Sequence, residues 1–152
     1  MAPRKPKAVV SNTAPAEMVF DGSDIRPIPA GSTHVIFKIL DAGANQSASL
    51  GVVLHEQTVP NGSWEVIRKE IIDNLPDTPE VSSMVFFVKP GARYAIVFQG
   101  EMHSLWKDKA PLTLELSVSA DGVGAPLEDF GGAKSVAGSF CSIRGRARLK
   151  AN

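Results

Sequence analysis

The sequence predicts a mainly β fold, an antiparallel β-sandwich with a jelly roll as the expected topology. Short runs of residues alternate between apolar and polar, the period of a strand with one buried face. Turn-forming clusters separate those runs, and 13 glycines and 11 prolines in 152 residues supply them. About seven or eight such runs follow one another, a count that suits a sandwich. A chain of this length makes one ordinary domain. At this size about 68–70% of the unfolded surface is buried on folding, so a core needs neither disulfides nor metals.

The elements are expected in the following order. Residues 1–15 hold three cations, several prolines and few apolar side chains. Such a composition buries too little to offset ordering entropy, which predicts a flexible basic arm ahead of a single domain over 16–152. A first strand is expected over 16–20, closed by the turn cluster Asp21-Gly22-Ser23-Asp24. Both faces of 34–40 are apolar, so that strand belongs inside a sheet. Residues 50–56 form the next strand. Over 63–75 the period changes: Trp64, Ile67, Ile71 and Leu75 recur at helical spacing, Glu65 precedes Lys69 by four residues, and Pro76 stops the run. These features predict one short amphipathic helix.

Residues 81–88 are strongly apolar, and Lys89-Pro90-Gly91-Ala92 follows them. Proline second and glycine third is the pattern of a type II turn. A hairpin with 93–99 is therefore expected. Leu112, Leu114, Leu116 and Val118 alternate with polar partners over 112–119, and 120–134 reads as a glycine-rich loop. The last strand is expected over 139–149.

Net charge is zero, but the layout is uneven. Arg4, Lys5 and Lys7 lie near one end, and Arg144, Arg146, Arg148 and Lys150 near the other. The stretch between keeps nine basic against sixteen acidic residues, a balance of minus seven. In a strand the four late cations share one face, about 7 Å apart, while Cys141, Ile143, Ala147 and Leu149 share the other. The cationic face reads as a solvated or aggregation-resistant surface, or as a site for a polyanion or an acidic protein. The arm offers a second phosphate-binding element, one whose strength would fall with salt.

Catalytic patterns are lacking. His34, His55 and His103 fit no metal-ligand spacing, although Glu101 and His103 would share a strand face. No nucleophile elbow, phosphate-binding glycine loop or calcium-loop pattern occurs. Cys141 stands on the inward face, where a packing role is expected. No metal site and no cofactor are expected, and the chain is read as a non-enzyme. Trp106, in a polar stretch, is the one aromatic offered for ligand stacking. No apolar run reaches the roughly 20 residues of a membrane span, so no membrane partner is expected. The start lacks the apolar core of a secretion signal, which places the expected site in the cytoplasm.

The basic, proline-containing start MAPRKPK and the ending SFCSIRGRARLKAN resemble, in overall plan, small viral coat proteins of the single jelly-roll type. Capsid-decorating virion proteins are an equally good likeness. The resemblance implies a structural protein of a virus particle, found in the virion and in the host cytoplasm during assembly. It would contact itself or other capsid subunits, with RNA or another nucleic acid held by the basic termini. The segments IPAGSTHVIFKI and FFVKPGARYAIVF also look like β-sandwich binding modules, including carbohydrate-binding ones. That likeness implies the alternative, a glycan- or ligand-binding module with Trp106 at its site.

Overall fold

The computed structural model describes residues 16–74, 82–105, 110–121 and 125–152. Among them nine strands form: β1 (Glu17–Ile28), β2 (His34–Ala42), β3 (Gln46–Gln57), β4 (Glu65–Asp73), β5 (Ser83–Phe87), β6 (Arg93–Ser104), β7 (Leu112–Ala120), β8 (Lys134–Val136) and β9 (Phe140–Ala151). They make a five-stranded sheet in the order β1-β9-β6-β3-β4 and a four-stranded sheet in the order β5-β2-β7-β8. The expected arm over 1–15 lies outside the described residues.

Alternation builds the core. Val35, Phe37 and Ile39 of β2 and Leu112, Leu114, Leu116 and Val118 of β7 turn inward and are buried. Opposite them stand Leu50, Val52 and Leu54 of β3, Tyr94, Ile96 and Phe98 of β6, and Cys141, Ile143, Ala147 and Leu149 of β9. Aromatic rings join the two sheets: Phe37 meets Phe98 at 4.9 Å between centroids, and Phe86 meets Tyr94 at 5.2 Å. Such contacts add about 0.5–1.5 kcal/mol beyond area burial.

Four expectations change. The helix over 63–75 does not form; residues 65–73 are β4, hydrogen-bonded antiparallel to β3. A spacing of four, as between Ile67 and Ile71, belongs to both the helical and the extended period. Val66, Ile67, Ile71 and Ile72 are β-branched and favour the strand. A bulge between Arg68 and Val66 leaves Ile67 without a cross-strand partner, and Ile72 is the buried apolar residue of β4. The expected hairpin also separates. The turn itself stands, with Gly91 at φ 78° and the Ala92 amide donating to the Lys89 carbonyl at 3.1 Å. It carries the chain from one sheet to the other, because β5 pairs with β2 while β6 pairs with β3 and β9.

The cluster expected to turn at 21–24 is instead an irregularity inside the longer β1. That strand runs parallel to β9, so the fold is not wholly antiparallel. A parallel pair needs a long connection, and here almost the whole chain provides it. A jelly roll is eight antiparallel strands in two Greek keys. The nine strands here divide five and four and close with that parallel pair.

Candidate functional site

The cations of the last strand stand on the outer face of the five-stranded sheet, as alternation requires. Arg144, Arg146 and Lys150 are exposed and Arg148 is half-buried, while Cys141, Ile143, Ala147 and Leu149 point into the core. Burial raises the Cys141 thiol above its ordinary range, which disfavours the reactive thiolate.

The four cations do not form an uncompensated stripe. Parallel pairing sets Val19 beside Arg144 and Asp21 beside Arg146. Glu17 accepts a hydrogen bond from Arg144 Nε at 3.0 Å, and Asp21 accepts one from Arg146 Nε at 3.1 Å. The anionic partners foreseen for this strand are thus supplied in part by the chain itself. Glu17 and Asp21 escape sequence reasoning because nothing local says which strand lies beside the last one. The available signal was their alternation with Met18 and Phe20, which turns both acids outward.

Beside the cationic row lies an open depression of roughly 800 Å³, lined by Gly51, Val53, Lys69, Ile71, Val97 and Gln99. Gly51 has no side chain, so the centre of β3 dips between Gln99 and Ile71, its cross-strand neighbours. Val97 is 41% exposed and Ile71 71% exposed, large values for apolar side chains in mid-strand. Two smaller hollows continue across Ser49, Glu101 and Ser142 and across Val19, Asp21 and Arg146. The whole outer face is therefore one broad surface with an apolar centre and charged surroundings.

Elsewhere the ionisable groups serve the fold. Glu56, buried at one end of the core, accepts from the Tyr94 hydroxyl at 2.9 Å and from Lys89 Nζ at 3.2 Å. Burial pushes the Tyr94 hydroxyl up to about 12, and Glu56 adds to the shift. Glu128, also buried, accepts from Arg26 Nε at 3.1 Å and from the Phe130 amide at 2.9 Å. Asp121 accepts from the His34 and Thr33 amides, and those bonds hold its carboxyl below the usual range. Glu101 and His103 do share the outer face of β6, but no group of three His, Cys, Asp or Glu could hold a metal among the described residues. Arg4, Lys5, Lys7 and Trp106 lie outside the described residues. No described helix is long and apolar enough to cross a membrane.

Comparison with protein-family models, curated sequences and solved structures finds no match.

Proposed function

We propose that the chain is a non-enzymatic structural protein of a virus particle, a coat or capsid-cementing subunit that assembles through protein–protein contacts. The observation that carries this reading is the outer face of the five-stranded sheet, an apolar depression flanked by ion-paired arginines. Contiguous exposed apolar surface ringed by polar groups marks interaction sites. Arginine is also enriched in interfaces, where its charge is tolerated once paired. The reading requires a two-sheet sandwich and not the jelly-roll order. The basic residues at 4–7 and 144–150 then meet a genome or an acidic neighbour.

The direct test is light scattering and electron microscopy on the purified chain, with and without nucleic acid, over a range of salt. Ordered particles, or binding to a preformed shell, are the expected result. A monomer under all conditions, binding neither shell nor nucleic acid, overturns the reading. The alternative is a glycan- or ligand-binding module. It draws on the same depression, where Gln99 and Lys69 offer hydrogen bonds. A glycan array separates the two: specific binding that Gln99→Ala or Lys69→Ala removes favours a module at this depression, and specific binding that Trp106→Ala removes favours one at the stacking residue expected from the sequence.

A further inference from the structure

The edge strands of the two sheets are not equally protected. Unpaired N–H and C=O groups at an edge invite another strand, and proteins blunt such edges with prolines, irregularities, shortness or covering side chains. β1 has Pro27 and the irregularity between Asp21 and Ile25. β8 has three residues. β5 has five, and its Val85 carbonyl accepts a hydrogen bond from Arg68. β4 has nine residues and no proline, and its irregularity lies at Ile67, ahead of the regular stretch 68–73.

The ladder shows which backbone groups of β4 are free. In an antiparallel pair, residues bonded to the neighbour alternate with residues turned away from it. The Asn74 amide donates to the Ala48 carbonyl. In that register Ile72, Glu70 and Arg68 bond to β3, while Lys69, Ile71 and Asp73 turn their amides and carbonyls away from it. These outward groups have no hydrogen-bond partner among the described residues. The side chains of the same three residues stand on the outer face, opposite Val53, Gly51 and Ser49.

We propose that β4 pairs antiparallel with β4 of a second copy, edge to edge, about a two-fold axis perpendicular to the sheet at Ile71. The two five-stranded sheets then become one continuous sheet. The inference deepens the assembly reading, on which it rests, by naming the partner and the contact. Opposed residues of an antiparallel pair share a face, and this axis keeps each face on its own side, so it must pass through a residue. At Ile71 it sets Ile71 against Ile71 and Lys69 against Asp73 on both sides. All three pairs have outward backbone groups, and each can exchange both bonds. Glu70 then faces Ile72, and Arg68 faces Asn74. The two Glu70 side chains approach on a diagonal, but each is held by its own Arg68, Nε to Oε2 at 2.6 Å.

Other axes along the strand are worse. At Arg68, Lys69, Glu70 or Asp73 the axis sets a charge directly on its own copy, which destabilises a strand pair. At Ile67 it falls on the irregularity. At Ile72 it sets Asp73 against Ile71 and leaves no charge opposite Lys69. The chosen axis also extends the site already described. Ile71 is 71% exposed and lines the apolar depression, so the seam joins the depressions of the two copies. A single-strand seam is smaller than the roughly 800 Å² per partner of a standard interface, so weak, concentration-dependent association is expected.

Sedimentation and hydrogen exchange of the full chain at low salt, over a wide concentration range, test the proposal. The parent should pass from monomer to dimer as concentration rises. The amides of Lys69, Ile71 and Asp73 should gain protection over the same range, whereas those of Glu70 and Ile72 are already protected by β3. Ile71→Pro removes an outward donor that the sheet does not use, so the fold should be spared and association weakened at least tenfold. Lys69→Glu and Asp73→Lys should each weaken it several-fold with an unchanged circular-dichroism spectrum. Mixing those two variants should restore a one-to-one heterodimer, because opposite charges then meet at both ends of the seam. That rescue also shows that both variants fold. A parent that stays monomeric throughout, or a dimer that leaves the three outward amides unprotected, overturns the proposal. Larger particles that form equally well from a folded Ile71→Pro variant also overturn it, while the assembly reading stands. A dimer that obeys the charge swap but never builds a larger particle supports this seam and counts against the virion reading.

Discussion

Gly145 shows how one side chain's absence can set the packing of a sheet. It lies in β9 on the inward side, between Ile143 and Ala147, where a Cβ would run into the Phe20 backbone carbonyl and the Phe98 ring. The missing methyl is the space that the Phe20 backbone and the Phe98 ring occupy. Gly145→Ala should therefore cost about 1–3 kcal/mol by overpacking, read as a lower denaturant midpoint with an unchanged slope. Tyr94 makes a different demand. Its hydroxyl accepts from the Lys89 amide at 2.8 Å and donates to Glu56, so it serves the turn and the buried carboxylate together. Tyr94→Phe should cost about 1–3 kcal/mol, since it leaves buried polar partners unpaired. The hydroxyl also has a pH signature. Its folded pKa is raised to about 12, above an unfolded value of about 10. The protonated form therefore stabilises the fold fully below about 10, and that contribution is lost as pH rises through the folded value of about 12. Alkaline titration of stability should show a loss in that window in the parent and less of it in Tyr94→Phe.

Among the elements, β1 and β9 depend on one another. Their ladder is parallel, and Arg144–Glu17 and Arg146–Asp21 cross it on the solvent side. Both pairs are largely exposed, so each should contribute only about 0.2–1 kcal/mol. Changing Arg144, Arg146 and Arg148 together to Gln should leave the chain folded and speed hydrogen exchange at the amides of β1. Unchanged exchange there would mean that the ion pairs do not hold the strand. This element also marks how far the sequence can be read. The faces of β9 and β7 were legible, because strand alternation is local and needs no knowledge of neighbours. The partner of β9 was not, because Glu17 and Arg144 are 127 residues apart. At β4 the ambiguity was in the period itself: isoleucines four apart fit a helical stripe and a strand face equally.

For the molecule as a whole, strand order was the hidden quantity. The turn at 89–92 was legible from Pro90 and Gly91, yet a tight turn fixes only the direction of the chain and not the sheet that each arm joins. Here it bridges the two sheets, and β9 enters between β1 and β6 after nearly the whole chain has been made. The candidate face has the same origin. Its cations were visible as a row in the sequence, whereas the depression beside them exists only once β3, β4 and β6 lie side by side. This order gives β9 a weight beyond its own contacts. Without it β1 has no described partner strand, β6 becomes an edge, and the core loses Cys141, Ile143, Ala147 and Leu149 together. Ile143→Ala alone should cost about 2–5 kcal/mol, the range for truncating a large aliphatic core residue. Removing residues 139–152 should cost more than a domain of this size has in reserve, typically about 5–15 kcal/mol. The truncated chain should show no cooperative thermal transition, and a synthetic peptide of residues 139–152 should restore one, because the gap between β1 and β6 is an open site for that strand. A cooperative transition in the truncated chain without the peptide would show that the two sheets hold together independently of β9.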